Sequence, residues 1–239
     1  MTVQLFIPCF VDQLYPQTAF NMVKVLEKAG CTVEYNVNQT CCGQPAFNAG
    51  FWDDCKEVCT KFIKDFSGTD YIVAPSASCV GFVRNYFPTL FDNSSLHNDV
   101  KDLQDRTFEF SEFMVKVLKV ENVGASLHTK ATYHDSCAGL RECKIKQEPR
   151  KLLSNVKGLE LVEMNDVETC CGFGGTFAVK FNPISIGMAD QKAVNAQETG
   201  AECIISTDLS CLMHIDGYIR KKGLPLQTMH LADVLASGW

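Results

Sequence analysis

Short apolar or β-branched runs alternate with longer stretches of helical periodicity along this 239-residue chain. VQLFIPCFVD, EYNVNQTCCGQPAF and YIVAPSASCVGFV each lead from strand-like residues into a cysteine, and helical sequence follows. KATYHDSCAGL, VEMNDVETCCGFGGTF and CIISTDLSCLMHI repeat that design in the same order. Between the runs, residues 16–29 have helical periodicity, with Gly30 placed for a C-terminal cap. Residues 51–66 repeat Phe51, Cys55, Val58, Cys59, Phe62, Ile63 and Phe66 at helical spacing. Residues 184–199 and 212–222 read as helices ending before Gly200 and Gly223, and residues 108–119 as an amphipathic helix. Residues 92–95 read as a loop.

Strands alternating with helices of this length predict βαβ units and parallel sheets. The expected fold is α/β: two similar domains related by a pseudo-twofold, each a small parallel sheet flanked by helices. The expected boundaries are 1–122 and 123–239, with the connection within 121–130.

The repeat carries a cysteine pattern. Cys9, Cys41-Cys42-Gly43 and Cys79 in the first half correspond to Cys137, Cys170-Cys171-Gly172 and Cys211 in the second, 128 to 132 residues later. Eight of the 13 cysteines lie on this framework. Four thiolates per half is the number an iron–sulfur cluster or a tetrahedral zinc site takes. The pattern places Cys9, Cys79, Cys137 and Cys211 at or just beyond the carboxyl ends of strands, where open α/β sheets build their sites. Adjacent cysteines on a regular strand point to opposite faces. Convergence of Cys41 with Cys42, and of Cys170 with Cys171, therefore needs a kinked loop, which Gly43 and Gly172 permit.

The other candidates carry less. Cys55 and Cys59 share a helical face and read as core, as do Cys31 and Cys203. Cys143 follows Cys137 by six residues in GLRECK. His134, three residues before Cys137, reads as a ligand, as a donor beside the site, or as an ordinary satisfied histidine; His214 and His230 are weaker candidates. GFGGTF does not complete G-x-G-x-x-G, because position 177 is Phe.

Composition narrows the chemistry. With 46% hydrophobic and 21% charged residues, the chain has the makeup of a globular protein with a full core. The net charge is −6 and neither half is basic, which argues against nucleic acid as a partner. No apolar run approaches the about 18 residues of a membrane span, and MTVQLFIPCF lacks the features of an export signal. The expected location is the cytoplasm, where dense cysteine points to metal or redox chemistry rather than disulfides.

CFVDQLYPQTA, CCGQPAFNAG, APSASCVGF, YHDSCAGLRE, CCGFGGTFAVK, TGAECIISTDLSCLMHI and HLADVL together resemble the cysteine-rich CCG-domain proteins, above all the lactate utilization protein A family. The cysteine-rich component of heterodisulfide reductase and the glycolate oxidase iron–sulfur subunit are related. The resemblance implies an iron–sulfur protein, with one or two clusters, [4Fe–4S] in type, and zinc as the alternative in one half. It implies Cys9, Cys41, Cys42, Cys79, Cys137, Cys170, Cys171 and Cys211 as ligands. It implies oxidation of L-lactate to pyruvate beside two partners, a ferredoxin-like iron–sulfur subunit and a third small subunit. The chain departs from the heterodisulfide branch, whose motifs can end in Cys-x-x-Cys: Ser76 and Asp208 stand at those positions, and Ala138 where many relatives carry histidine. An electron-transferring oxidoreductase component is the leading expectation. A thiol–disulfide redox subunit and a zinc-stabilised docking subunit are the alternatives.

Overall fold

The apolar runs become eight strands in two separate sheets. A computed structural model describes all 239 residues, Met1–Trp239. The first sheet holds β1 (Thr2–Leu5), β2 (Thr32–Tyr35), β3 (Tyr71–Ala74) and β4 (Thr107–Glu109), in the order β2-β1-β3-β4. The second holds β5 (Ser126–Tyr133), β6 (Lys157–Val162), β7 (Cys203–Ser206) and β8 (Gln227–His230), in the order β6-β5-β7-β8. Every pairing is parallel, so each connection must cross over, and most do so through helices.

The helices are α1 (Cys9–Leu14), α2 (Pro16–Lys28), α3 (Gln44–Ala49), α4 (Trp52–Asp65), α5 (Ala77–Leu90), α6 (His97–Arg106) and α7 (Phe110–Glu112) in the first half. Those of the second are α8 (Cys137–Arg141), α9 (Gln147–Ser154), α10 (Thr176–Lys180), α11 (Asn182–Glu198), α12 (Leu209–Lys222) and α13 (Leu231–Leu235). The two sheets share one topology, and it fixes where a site can form. From β1 the chain moves outward to β2, and from β3 outward the other way to β4. The crevice at the carboxyl ends of β1 and β3 is therefore a topological switch point, as is that of β5 and β7.

Three expectations change. Residues 108–119 are not one helix: Thr107–Glu109 is the fourth strand, paired with β3, followed by α7 and a π-helical turn at Phe113–Val117. β5 starts at Ser126, so the stretch expected as a connection already contains a strand. α12 begins at Leu209 rather than 212, capped by Asp208, which puts Cys211 inside its first turn.

The halves are joined by packing. One apolar core of 37 buried residues takes members from both, including Met22, Phe113, Ala131, Ile204 and Leu235. A second core of 19 lies mainly around α4 and α5 and reaches Cys143 and Ile145. Ser76 and Asp208, equivalent positions in the repeat, face each other in an antiparallel bridge, as a local twofold requires. α13 packs on α2, where Asp233 accepts hydrogen bonds from Thr18 Oγ1 at 2.9 Å and Asn21 Nδ2 at 2.8 Å.

Candidate metal centres

Each half gathers its four framework cysteines in one order. Cys9 opens α1, and its Sγ lies 3.8 Å from Cys41 Sγ. Cys41 contacts Cys42, and Cys42 contacts Cys79 in the first turn of α5. In the second half Cys137 opens α8 and contacts Cys170, Cys170 contacts Cys171, and Cys171 contacts Cys211. All 13 cysteines are free thiols. Cys42, Cys171 and Cys211 are buried, whereas Cys9, Cys41, Cys79, Cys137 and Cys170 are half-buried, so both quartets reach the surface.

The Cys-Cys-Gly loops bend as the adjacent cysteines require. Gly43 has φ +94° and Gly172 φ +92°. Each glycine N–H turns back and donates to the first cysteine of its own pair, at 3.4 Å to Cys41 Sγ and 3.4 Å to Cys170 Sγ. The Phe173 N–H donates to Cys171 Sγ at 3.5 Å. A long helix then anchors each loop from beneath. Cys55 Sγ on α4 donates to the Gly43 carbonyl at 3.4 Å, and Ser185 Oγ on α11 donates to the Gly172 carbonyl at 2.8 Å. Cys55 and Cys59 are fully buried, as core residues should be, and they also hold up the loop.

The electrostatics repeat as well. Hydrogen bonds from Cys42 and Cys9 hold the Cys41 thiol down to about 3. Those from Cys137 and Cys171 hold Cys170 down to about 2. The donors shift the other way: Cys9 and Cys137 are raised by their bonds to Cys41 and Cys170, and Cys42 and Cys171 by theirs within the pair. One thiolate per half thus collects the charge while its neighbours keep their protons. A bound cation would displace those protons.

The donor set fits a thiolate-bound metal group. Four soft sulfurs per half suit an iron–sulfur cluster or zinc. Sulfurs about 2.3 Å from one tetrahedral ion stand about 3.8 Å apart, which is the Cys9–Cys41 separation. A cluster places a different iron behind each thiolate, so its ligands stand wider than this.

The remaining candidates separate. His134 follows β5 directly, is wholly buried, and has no hydrogen-bond partner at either ring nitrogen. Its ligand atoms and those of Cys171 and Cys211 all lie within 4.8 Å of one another. Burial, helped by Lys192, depresses its pKa to about 3, so the ring is neutral. His214 Nε2 contacts Ser185 Oγ at 3.0 Å, behind the second loop. His230 Nδ1 caps α13 by accepting from the Ala232 N–H at 3.1 Å. Cys143 lies at the junction, donating to the Ala77 carbonyl at 3.3 Å, and Cys31 and Cys203 are in the core. The two quartets are neighbours: Phe10, next to Cys9, meets Phe173, which follows Gly172, with ring centroids 5.7 Å apart.

A twice-repeated unit of parallel sheet, flanking thiols and Cys-Cys-Gly loop defines a duplicated cysteine-rich protein, and the cysteine-rich domain model named CCG matches residues 3–84 and 131–216. Lactate utilization protein A of Halalkalibacterium halodurans is 47% identical over 98% of this chain and 96% of its own length. That of Bacillus subtilis is 45% identical over 99% and 100%. The chain belongs to the lactate utilization protein A family. A hypothetical protein from Helicobacter pylori shares the fold with TM-score 0.62 at 13% identity, covering 100% of this chain, which spans about half (49%) of that structure.

Proposed function

We propose that this chain is the iron–sulfur electron-transfer component of a multi-protein system that oxidises L-lactate to pyruvate. The observation carrying it is the pair of thiol quartets at two switch points in a chain whose relatives are named for lactate utilization. The ligands are Cys9, Cys41, Cys42 and Cys79 in the domain at 1–122, and Cys137, Cys170, Cys171 and Cys211 in that at 123–239. A [4Fe–4S] cluster held there supplies one-electron transfer. The chain's own part is to bind, orient and tune. Thiolates fix the group at the strand ends, while the N–H groups of Gly43, Gly172 and Phe173 point at ligand sulfurs, a lever on reduction potential. Half-buried quartets leave each centre open to an electron partner.

Lactate oxidation moves two electrons, so a one-electron carrier works beside other centres. The partners are a ferredoxin-like iron–sulfur subunit and a third small subunit, in the cytoplasm. Exposed Phe51, Trp52, Val179, Phe181 and Ile184, on the segments following the two Cys-Cys-Gly loops, support docking of such a subunit beside the centres. No helix is long and apolar enough to cross a membrane.

The test is iron, sulfide and zinc analysis of anaerobically purified protein, with EPR of the reduced form. Lactate oxidation with an artificial acceptor is then compared for this chain alone and for the three-protein mixture. Iron with acid-labile sulfide, and activity only in the mixture, is the expected result. Full activity from the chain alone would overturn the subunit assignment. A zinc scaffold is the second reading, favoured by the 3.8 Å sulfur separation in the first half; zinc at full occupancy in both halves would establish it.

A further inference from the structure

The repeat makes each half a control for the other, and they differ at His134. The residue's counterpart is Phe6. Each stands three positions before the first framework cysteine. Each donates its backbone N–H to the adjoining strand, Phe6 to the Val73 carbonyl at 3.0 Å and His134 to that of Ile205 at 2.8 Å. Phe6 fills its place with apolar contacts, packing edge-on against Phe62 with ring centroids 4.8 Å apart. The counterpart of Phe62, seven residues beyond the loop anchor in each helix, is Lys192. Its ammonium donates to the Asp166 and Val167 carbonyls. An apolar pair beside the first quartet is thus a polar, wholly buried pair beside the second.

A buried imidazole with two unpartnered nitrogens is costly and is seldom retained without a partner. None of the protein groups around His134 supplies one: Ser206 Oγ donates to the His134 backbone carbonyl, and Lys192 is engaged with two carbonyl oxygens. What faces the ring is Cys171 and Cys211, close enough for one ion to touch all three.

The geometry points to His134 as a nitrogen ligand of the metal centre in the second half, beside Cys171 and Cys211. A neutral imidazole and two thiolates suit a borderline transition metal, iron or zinc. Together with the quartet they make a mixed nitrogen and sulfur donor set. The first half, with Phe6, can offer sulfur alone. The two centres are therefore chemically distinct, one all-thiolate and one mixed. This inference shares with the proposed function only the premise that the second half binds metal.

The test is X-ray absorption at the edge of whichever metal the anaerobically purified protein carries, with pulsed EPR of the reduced protein grown on ¹⁵N-histidine where that metal is paramagnetic. The wild type is expected to show a directly bonded imidazole nitrogen. His134→Phe, which installs the first half's residue, is expected to lose that signal. It should also lose metal from the second half, with affinity falling by more than the about 10- to 100-fold caused by losing an outer hydrogen-bond partner. His134→Cys is expected to restore binding with sulfur-only scattering. A wild-type spectrum with no nitrogen in the coordination sphere, or with nitrogen only at hydrogen-bond distance, overturns the inference whether or not any variant folds. Zinc with bonded imidazole in the second half removes electron transfer from that half and leaves this inference standing. Iron and sulfide with sulfur-only ligation does the reverse.

Discussion

Asp208 of the second half caps a helix of the first: its Oδ2 accepts the Ser78 N–H at 2.8 Å, one residue before Cys79. Its Oδ1 accepts the Ser210 N–H at 3.2 Å, one residue before Cys211. A single buried carboxylate thus holds the first turns that present one cysteine from each quartet. Removing it leaves helix N–H groups unpaired in both halves. Asp208→Ala is expected to cost about 2–3 kcal/mol, read as a lower urea midpoint with an unchanged slope. A loss below about 0.5 kcal/mol would show that water replaces the carboxylate.

The two loop glycines should differ in their tolerance of a methyl group. Both have positive φ, which costs an L-residue about 1–2 kcal/mol. A Cβ at Gly172 would also stand 2.7 Å from the Ser185 carbonyl oxygen, which is backbone, whereas at Gly43 the nearest atoms are the Cys55 and Cys59 sulfurs at 3.1 Å. Thermal unfolding of Gly172→Ala is therefore expected well below that of Gly43→Ala. Equal melting temperatures would mean that α11 yields as readily as two thiols.

The pairing of Cys55 with Ser185 makes a specific forecast. The second half already uses a hydroxyl to hold its loop carbonyl. Cys55→Ser is expected to keep wild-type metal content and lose less than about 1 kcal/mol. Cys55→Ala leaves the Gly43 carbonyl with the Phe47 N–H, at 3.2 Å, but without its side-chain donor, and is expected to be the less stable of the two. Metal loss from Cys55→Ser as large as from Cys42→Ser would make Cys55 a ligand.

Glu109 gives stability a slope with pH. It is fully buried, and desolvation raises its carboxyl to about 8, although Oε2 accepts from the Ser111 and Glu112 N–H groups. The unfolded carboxyl titrates near about 4.3. Between these values the folded protein binds a proton that the unfolded chain has released, so this group lowers stability as pH rises toward 8 and has no effect below about 4. Glu109→Gln removes that slope. The variant is expected to gain roughly 3 kcal/mol relative to wild type at pH 7 and little at pH 5. Urea unfolding at the two pH values measures it, and a difference independent of pH would rule out the buried proton.

The strands leading to cysteines were legible because each is a short, buried apolar run ended by a residue of distinct chemistry. β4 was not. Thr107–Glu109 has three residues and runs straight into Phe110, Phe113, Met114 and Val117, whose spacing imitates a helix. α6 is not legible because its few apolar positions, Val100 and Leu103, are set among charges. The thiol quartets were visible as a repeat, but the role of Cys55 was not, since helical spacing shows only that a residue is buried. His134 is the clearest limit. Sequence places it near Cys137, while its lack of a partner depends on Lys192, Ser206 and Cys211, which arrive from more than 50 residues away.

The seat of α13 on α2 bears on the order in which the chain can be completed during synthesis. Thr18 and Asn21 wait for Asp233, more than 200 residues later. α2 also packs on α1 and β2 of its own half, but the side it turns to Asp233 has no cover until α13 has been made. Such distant contacts slow folding and keep apolar surface open in the nascent protein. A lesion confined to α13 would therefore injure the amino-terminal half, more than 200 residues away.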